Sequence, residues 1–112
     1  MRFPQNIYQR YHAHVYFDEQ SLDKGEFLYS QLQSLPEYQL GRFHQKLVGP
    51  HTKWSFQIAF TRDQFDQLIP WLERHRQGLS ILVHGNTGDF YQDHTEHAYW
   101  LGDEQKLNLK MS

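Results

Sequence analysis

Eight histidines and no cysteine occur in this chain of 112 residues. Imidazole both ligates transition metals and titrates near neutral pH, so an excess of it without thiols points to a metal or proton-transfer site lined by nitrogen and oxygen. His12 and His14 stand in YHAHVYF, His44 and His51 in RFHQKLVGPH, His84 in ILVHGNTGD, and His94 and His97 in DHTEHAYWLG. His75, in ERHRQ, reads as a plain surface residue. A contiguous tract would suggest a tag; scattered as they are, these rings must be gathered by the fold.

The elements that would gather them follow from periodicity. Tyr11 to Phe17 reads as a strand, with Tyr11, Ala13, Val15 and Phe17 on an apolar face and His12, His14 and Tyr16 on the other. Asp18 offers a cap to a helix carrying Leu22, Gly25, Leu28, Tyr29, Leu32 and Leu35 at helical spacing, closed by Pro36. Tyr38 to His44 is a strand interrupted by Gln39 and Gly41, and Lys53 to Phe60 is a clear half-buried strand. Thr61 and Gln64 form a capping box, with Phe60 and Phe65 placed as a hydrophobic staple, and Pro70 predicts a kink in the helix that follows. Leu79 to His84 is a fourth strand, residues 85–88 a turn, and Ala98 to Leu101 a short last strand.

This order predicts one domain over residues 1–112, an α+β ferredoxin-like βαββαβ sandwich with a short extra C-terminal strand and two helices on one face of an antiparallel sheet. The fourth strand would run beside the first and bring His84 toward His12 and His14. The face bearing those histidines needs cover, from a second copy of the chain or from residues 85–112. A homodimer is the expectation.

Alternatives stand at each constellation. His12 and His14 lie about 7 Å apart along the strand, close enough to converge on one ion, yet two half-buried histidines bonded across strands would look the same. Asp93-His94-Thr95-Glu96-His97 would put both rings on one helical face or be a polar turn, and it lacks the HExxH offset. His51, after Gly49-Pro50, suits a mobile acid or base; His44 reads as structural.

Much is excluded. Net charge is −2, with 11 Lys+Arg against 13 Asp+Glu, which gives a nucleic-acid backbone no electrostatic attraction. No apolar stretch approaches a membrane span, and the absence of cysteine fits the cytoplasm. Phosphate loops, dinucleotide fingerprints and nucleophile elbows are absent. A thiol-free histidine site compatible with non-haem iron or zinc remains.

YHAHVYFD, VGPHTKW, LVHGNTGD and DHTEHAYWLG, in this order, resemble the DOPA 4,5-dioxygenase family over about Tyr11 to Gly102. The family pattern has proline at the position of Gly85. The resemblance implies a ferredoxin-like, often dimeric fold and extradiol opening of a catechol by O₂ with Fe(II), zinc being possible in an isolated form. It carries over His14, His51, His84 and His94. On it we expect His14, His84 and His94 as metal ligands, with His51 and His12 moving protons, and with Glu96 or Asp93 able to replace one ligand. His44 and His97 receive no role. Trp54 and Trp100 are candidate walls for a flat ring. A non-catalytic metal- or ligand-binding dimer is the alternative.

Overall fold

The computed structural model describes residues 3–109. Strand β1 (Arg10–Phe17) leads through a 3₁₀ turn, Glu19–Ser21, into α1 (Leu22–Gln33). Then come β2 (Gln39–Leu40), β3 (Trp54–Thr61), α2 (Arg62–His75), β4 (Ile81–Gly85), α3 (Phe90–Asp93) and β5 (Ala98–Leu101). All pairings are antiparallel, in the order β2-β3-β1-β4-β5. This is the expected ferredoxin-like sheet with its extra strand at the edge beside β4.

The apolar face of β1 behaves as its alternation requires. Tyr11, Ala13, Val15 and Phe17 are buried with Phe56 and Ile58 of β3, Leu28 and Leu32 of α1, and Leu68 and Leu72 of α2. Each buried valine, leucine, isoleucine or phenylalanine among them stabilises the fold by about 1.5–3 kcal/mol. Gly25 is in α1 for space: a Cβ there would meet the Phe17 ring at 2.8 Å. The capping box of α2 forms as read, whereas Asp18 caps the 3₁₀ turn and not α1 itself, whose N-cap is Ser21. The Asp18 carboxylate accepts from the backbone N–H groups of Gln20 and Ser21, and Gln64 Oε1 accepts from Thr61 N at 2.9 Å. Pro70 does not end α2, which runs on to His75. Pro70 and Asp66 are both exposed, so water can serve the carbonyl that proline leaves without a donor.

The strand expected over Tyr38–His44 is shorter than expected. Leu40 opposes Ile58, but His44 opposes Ser55, so this edge holds one residue more than its partner between the two pairs. That is a bulge, and it turns neighbouring residues to opposite faces. Phe43 stacks on Phe17 in the core at 4.5 Å, while His44 shares the far face with Ser55.

On that far face, Tyr16, Leu82 and Trp100 form a small second cluster completed by Ala98 and Leu107. The segment around Leu107 is strapped to the loop before β3: Leu107 bridges His51, Asn108 N donates to Pro50 O at 2.7 Å, and Thr52 Oγ1 donates to Lys106 O at 2.5 Å. Of the two covers expected for this face, residues 85–112 thus supply part.

Where the family pattern has proline, Gly85 is required here by its neighbours. A Cβ on it would lie 2.8 Å from the Tyr8 ring, and its N–H donates to His97 O at 3.2 Å. Gly85→Pro is therefore expected to destabilise the protein by more than the roughly 1–3 kcal/mol of a stranded backbone group, and Tyr8→Ala should recover the steric part only. Urea midpoints of the single and double variants check this; equal stability of Gly85→Pro and wild type would refute it.

Candidate metal and proton-transfer site

Antiparallel pairing of β1 with β4 sets His12 directly opposite His84, and His14 follows two residues on, on the same face. His14 Nε2 and His84 Nε2 approach to 3.0 Å. One ring nitrogen from each of His12, His14 and His84 lies within 4.8 Å of the others, a gathering able to hold a metal ion. Metal–imidazole bonds are about 2.0–2.1 Å, which places the nitrogens around one ion within about 4.2 Å of each other; the approach of His14 to His84 already lies in that range, and imidazole suits iron and zinc alike.

Burial keeps these rings neutral, the form that ligates. His84 is 2% exposed, and burial drives it down to about 3, against the opposing hydrogen bond to Gly85 O and with help from His94 and His12. His14 is held well below the ordinary histidine value by burial first, then by the imidazoles of His51, His84, His12 and His94. Burial lowers His12 also, partly countered by Asp93.

Two further imidazoles complete the ring of five. His94, at the C-terminal end of α3, lies 4.4 Å from His84 between ring centroids and turns its Nδ1 to Phe90 O at 2.8 Å. His84 Nδ1 likewise meets Gly85 O at 2.8 Å. His51 lies 4.2 Å from His14 and pairs Nδ1 with Tyr16 Oη at 2.6 Å. Burial, assisted by His94 and His44, pushes His51 down to about 4.

Asp93 is 4% exposed and fully engaged. Thr87 N and Thr87 Oγ1 donate to it at 2.9 and 2.7 Å, and His97 Nδ1 lies 2.9 Å from its Oδ1. Although burial works to raise it, these hydrogen bonds hold its carboxyl below the ordinary value. Asp93 is a clamp joining the turn after β4 to α3, and it also lines the cavity over the histidines. The gathered nitrogen set contains neither Asp93 nor Glu96.

The cavity over these rings holds about 340 Å³ and is lined also by Pro50, Gln57, Asn86, Gly88, Phe90 and Asp93. Of the residues expected from sequence, His12, His14, His51, His84 and His94 all line it. The gathered trio contains His12 where the expectation had His94. His44 stands outside the cavity near His51, and His97 turns away to Asp93 and the Tyr8 ring, 4.8 Å off. His94 and His97 do not share a face because α3 ends at Asp93 and the chain turns between them. Trp54 packs at the main core and Trp100 against Tyr16, so the cavity's apolar walls are Pro50 and Phe90 instead. Gln57 was within reach of sequence reasoning, since alternation along β3 puts it opposite His14. Asn86, with its amide nitrogen 3.4 Å from His12 Nε2, carried no signal beyond its turn.

The family model of the Dopa 4,5-dioxygenase family matches residues 11–111. The chain belongs to this family. Among solved structures, a crystal structure from Nostoc punctiforme, described provisionally as a dioxygenase, is similar with a TM-score of 0.88 and 44% identity, over 93% of this chain and 90% of that one. An uncharacterised 21.2 kDa protein of Botryotinia fuckeliana is 33% identical over 88% of this chain, and the DOPA 4,5-dioxygenase of Amanita muscaria 34% identical over 62%. The matched part spans 61% and 31% of those two relatives' lengths. The Dopa 4,5-dioxygenase family match runs through every strand of the sheet and every imidazole at the cavity. Among the described residues no helix is long and apolar enough to cross a membrane.

Proposed function

We propose that this protein is an extradiol-type dioxygenase that opens a catechol ring with O₂, using Fe(II) held by His12, His14 and His84. The observation that carries the reading is the convergence of these three neutral imidazoles beside two more, in a chain of the Dopa 4,5-dioxygenase family. When bound, ferrous iron supplies coordination positions at which catechol and O₂ are held together and through which electron density passes from ring to oxygen. Both oxygen atoms enter the product, so no external reductant is consumed. The chain's own groups do the rest. Phe90 and Pro50 flank a flat ring over the histidines. His94, whose Nδ1–H is committed to Phe90 O, keeps a lone pair on Nε2 and accepts a proton from a catechol hydroxyl. His51 stands across the cavity to serve the oxygens on the other side, and the Asp93 clamp keeps His84 and His94 in fixed relation.

Supplied with ferrous iron under air, the protein is expected to turn a catechol such as DOPA or caffeate into a yellow semialdehyde, consuming an equal amount of O₂. An oxygen electrode read beside the visible spectrum tests this. No uptake across a broad catechol panel would refute the enzyme reading and leave a metal-binding domain. Cytoplasmic location and the homodimer belong to the same proposal; a monomeric mass by light scattering at high micromolar concentration would remove the dimer.

A further inference from the structure

Three imidazoles at the cavity have Nδ1 tied to an oxygen, and the oxygens differ in kind. His84 and His94 face the backbone carbonyls of Gly85 and Phe90, each at 2.8 Å. A carbonyl only accepts, so Nδ1 of each ring carries the hydrogen and Nε2 is left as a lone pair. His51 faces a hydroxyl, Tyr16 Oη, at 2.6 Å. A hydroxyl can donate or accept, and its surroundings decide which. Tyr16 is 2% exposed, and among the described residues His51 Nδ1 is the one hydrogen-bond partner of its oxygen. If Nδ1 held the hydrogen, the phenol proton would be buried with nothing to receive it, at a cost comparable to any unsatisfied buried donor.

We infer that Tyr16 is a positioning residue: by donating its phenol hydrogen to Nδ1 it holds His51 as the Nε2–H tautomer, so that the cavity is served by lone pairs from β4 and α3 and by an N–H donor from the loop before β3. The consequence for catalysis rests on the ring-opening reading. A neutral ring already protonated at Nε2 takes no proton there; it donates a hydrogen bond to an oxygen as negative charge develops on it. His94 and His51 are then an acceptor and a donor that cannot exchange duties.

Nitrogen-15 NMR of the chelator-treated protein at pH 7.5 reads the ring tautomers directly, with no catechol or iron present. Wild type is expected to show His51 protonated on Nε2, and His84 and His94 on Nδ1. Tyr16→Phe, nearly isosteric, should release His51 to a mixture or to the Nδ1–H form while His84 and His94 stay as they are. In the iron-loaded protein the same variant should keep metal content and KM and lose about 10- to 100-fold in kcat, less than the roughly 10²–10³ of deleting such a donor outright. Wild-type His51 protonated on Nδ1 would overturn the inference, whatever the variant does. So would an unchanged His51 tautomer in Tyr16→Phe; a changed tautomer with unchanged kcat would overturn the donor role. Wild type inert toward every catechol would refute ring opening alone and leave the tautomer result standing.

Discussion

Alanine at His12, His14 or His84 is expected to empty the metal site and abolish ring opening together, whereas His94→Ala keeps the metal and loses most of the rate. The first three rings offer nitrogens mutually within 4.8 Å, so removing one leaves two donors and an opening for water. The loss of affinity should exceed the roughly 10–100-fold that an outer hydrogen-bond partner contributes. His94 stands beside that group with its Nδ1 spent on Phe90 O, and removing a proton acceptor costs about 10²–10⁴ in rate without dismantling the ligand set. Elemental analysis of dialysed proteins, with oxygen uptake measured on the same samples, separates the two classes. Full occupancy in His12→Ala with loss in His94→Ala would reinstate the set expected from sequence, His14, His84 and His94. His75→Ala, where the ring stacks on Trp71 on α2, should change neither measurement.

Acid should unfold the metal-free protein well before ordinary carboxylates protonate. His14, His51 and His84 are all held below the usual histidine value of 6.5, His51 at about 4 and His84 at about 3, chiefly by burial. As pH falls through about 6.5 the unfolded chain takes up protons at these rings while the native chain does not, so the unfolded state is the one favoured. Stability is full above that pH and is lost progressively below it. Each proton bound by the unfolded state alone costs about 1.4 kcal/mol per pH unit, so three together approach about 4 kcal/mol per unit. Against a domain stability of about 5–15 kcal/mol this is decisive. Urea titrations of chelator-treated protein at pH 7.5, 6.5 and 5.5 measure the slope, and His84→Gln should make it shallower by about one proton. A stability flat across that range would contradict the burial described. Bound metal, which requires the same neutral nitrogens, should move the loss to lower pH until acid releases the ion.

The fold was legible where one face of an element is greasy and the other is not. β1, β3 and α2 declare themselves by alternation, a capping box and a staple. The bulge in the edge before Ser55 was not legible, because one extra residue between Leu40 and His44 leaves no mark on composition and is fixed by tertiary packing of Phe43. The site was legible to the level of which rings meet. Strand order alone brings His84 beside His12 and His14, and the loop and turn histidines follow. Which ring does what was not legible, since a role here depends on what lies behind each Nδ1: Gly85 O, Phe90 O or Tyr16 Oη. Two of those partners are backbone carbonyls, and a carbonyl has no letter in the sequence. The surroundings of Asp93 were hidden for a related reason. Sequence shows a carboxylate beside two histidines, but not the turn whose Thr87 donates to it.

The strap between residues 106–108 and Pro50–Thr52 gives the cavity two independent mountings. His12, His14 and His84 ride on paired central strands, whose positions are fixed by the core. His51 and Pro50 ride on a loop anchored to a late stretch of the chain. Change in that stretch can therefore retune one wall of the cavity and the reach of His51 while the three-nitrogen seat stays as it is. Divergence in what the cavity accepts thus has a place to accumulate that leaves the three gathered nitrogens undisturbed.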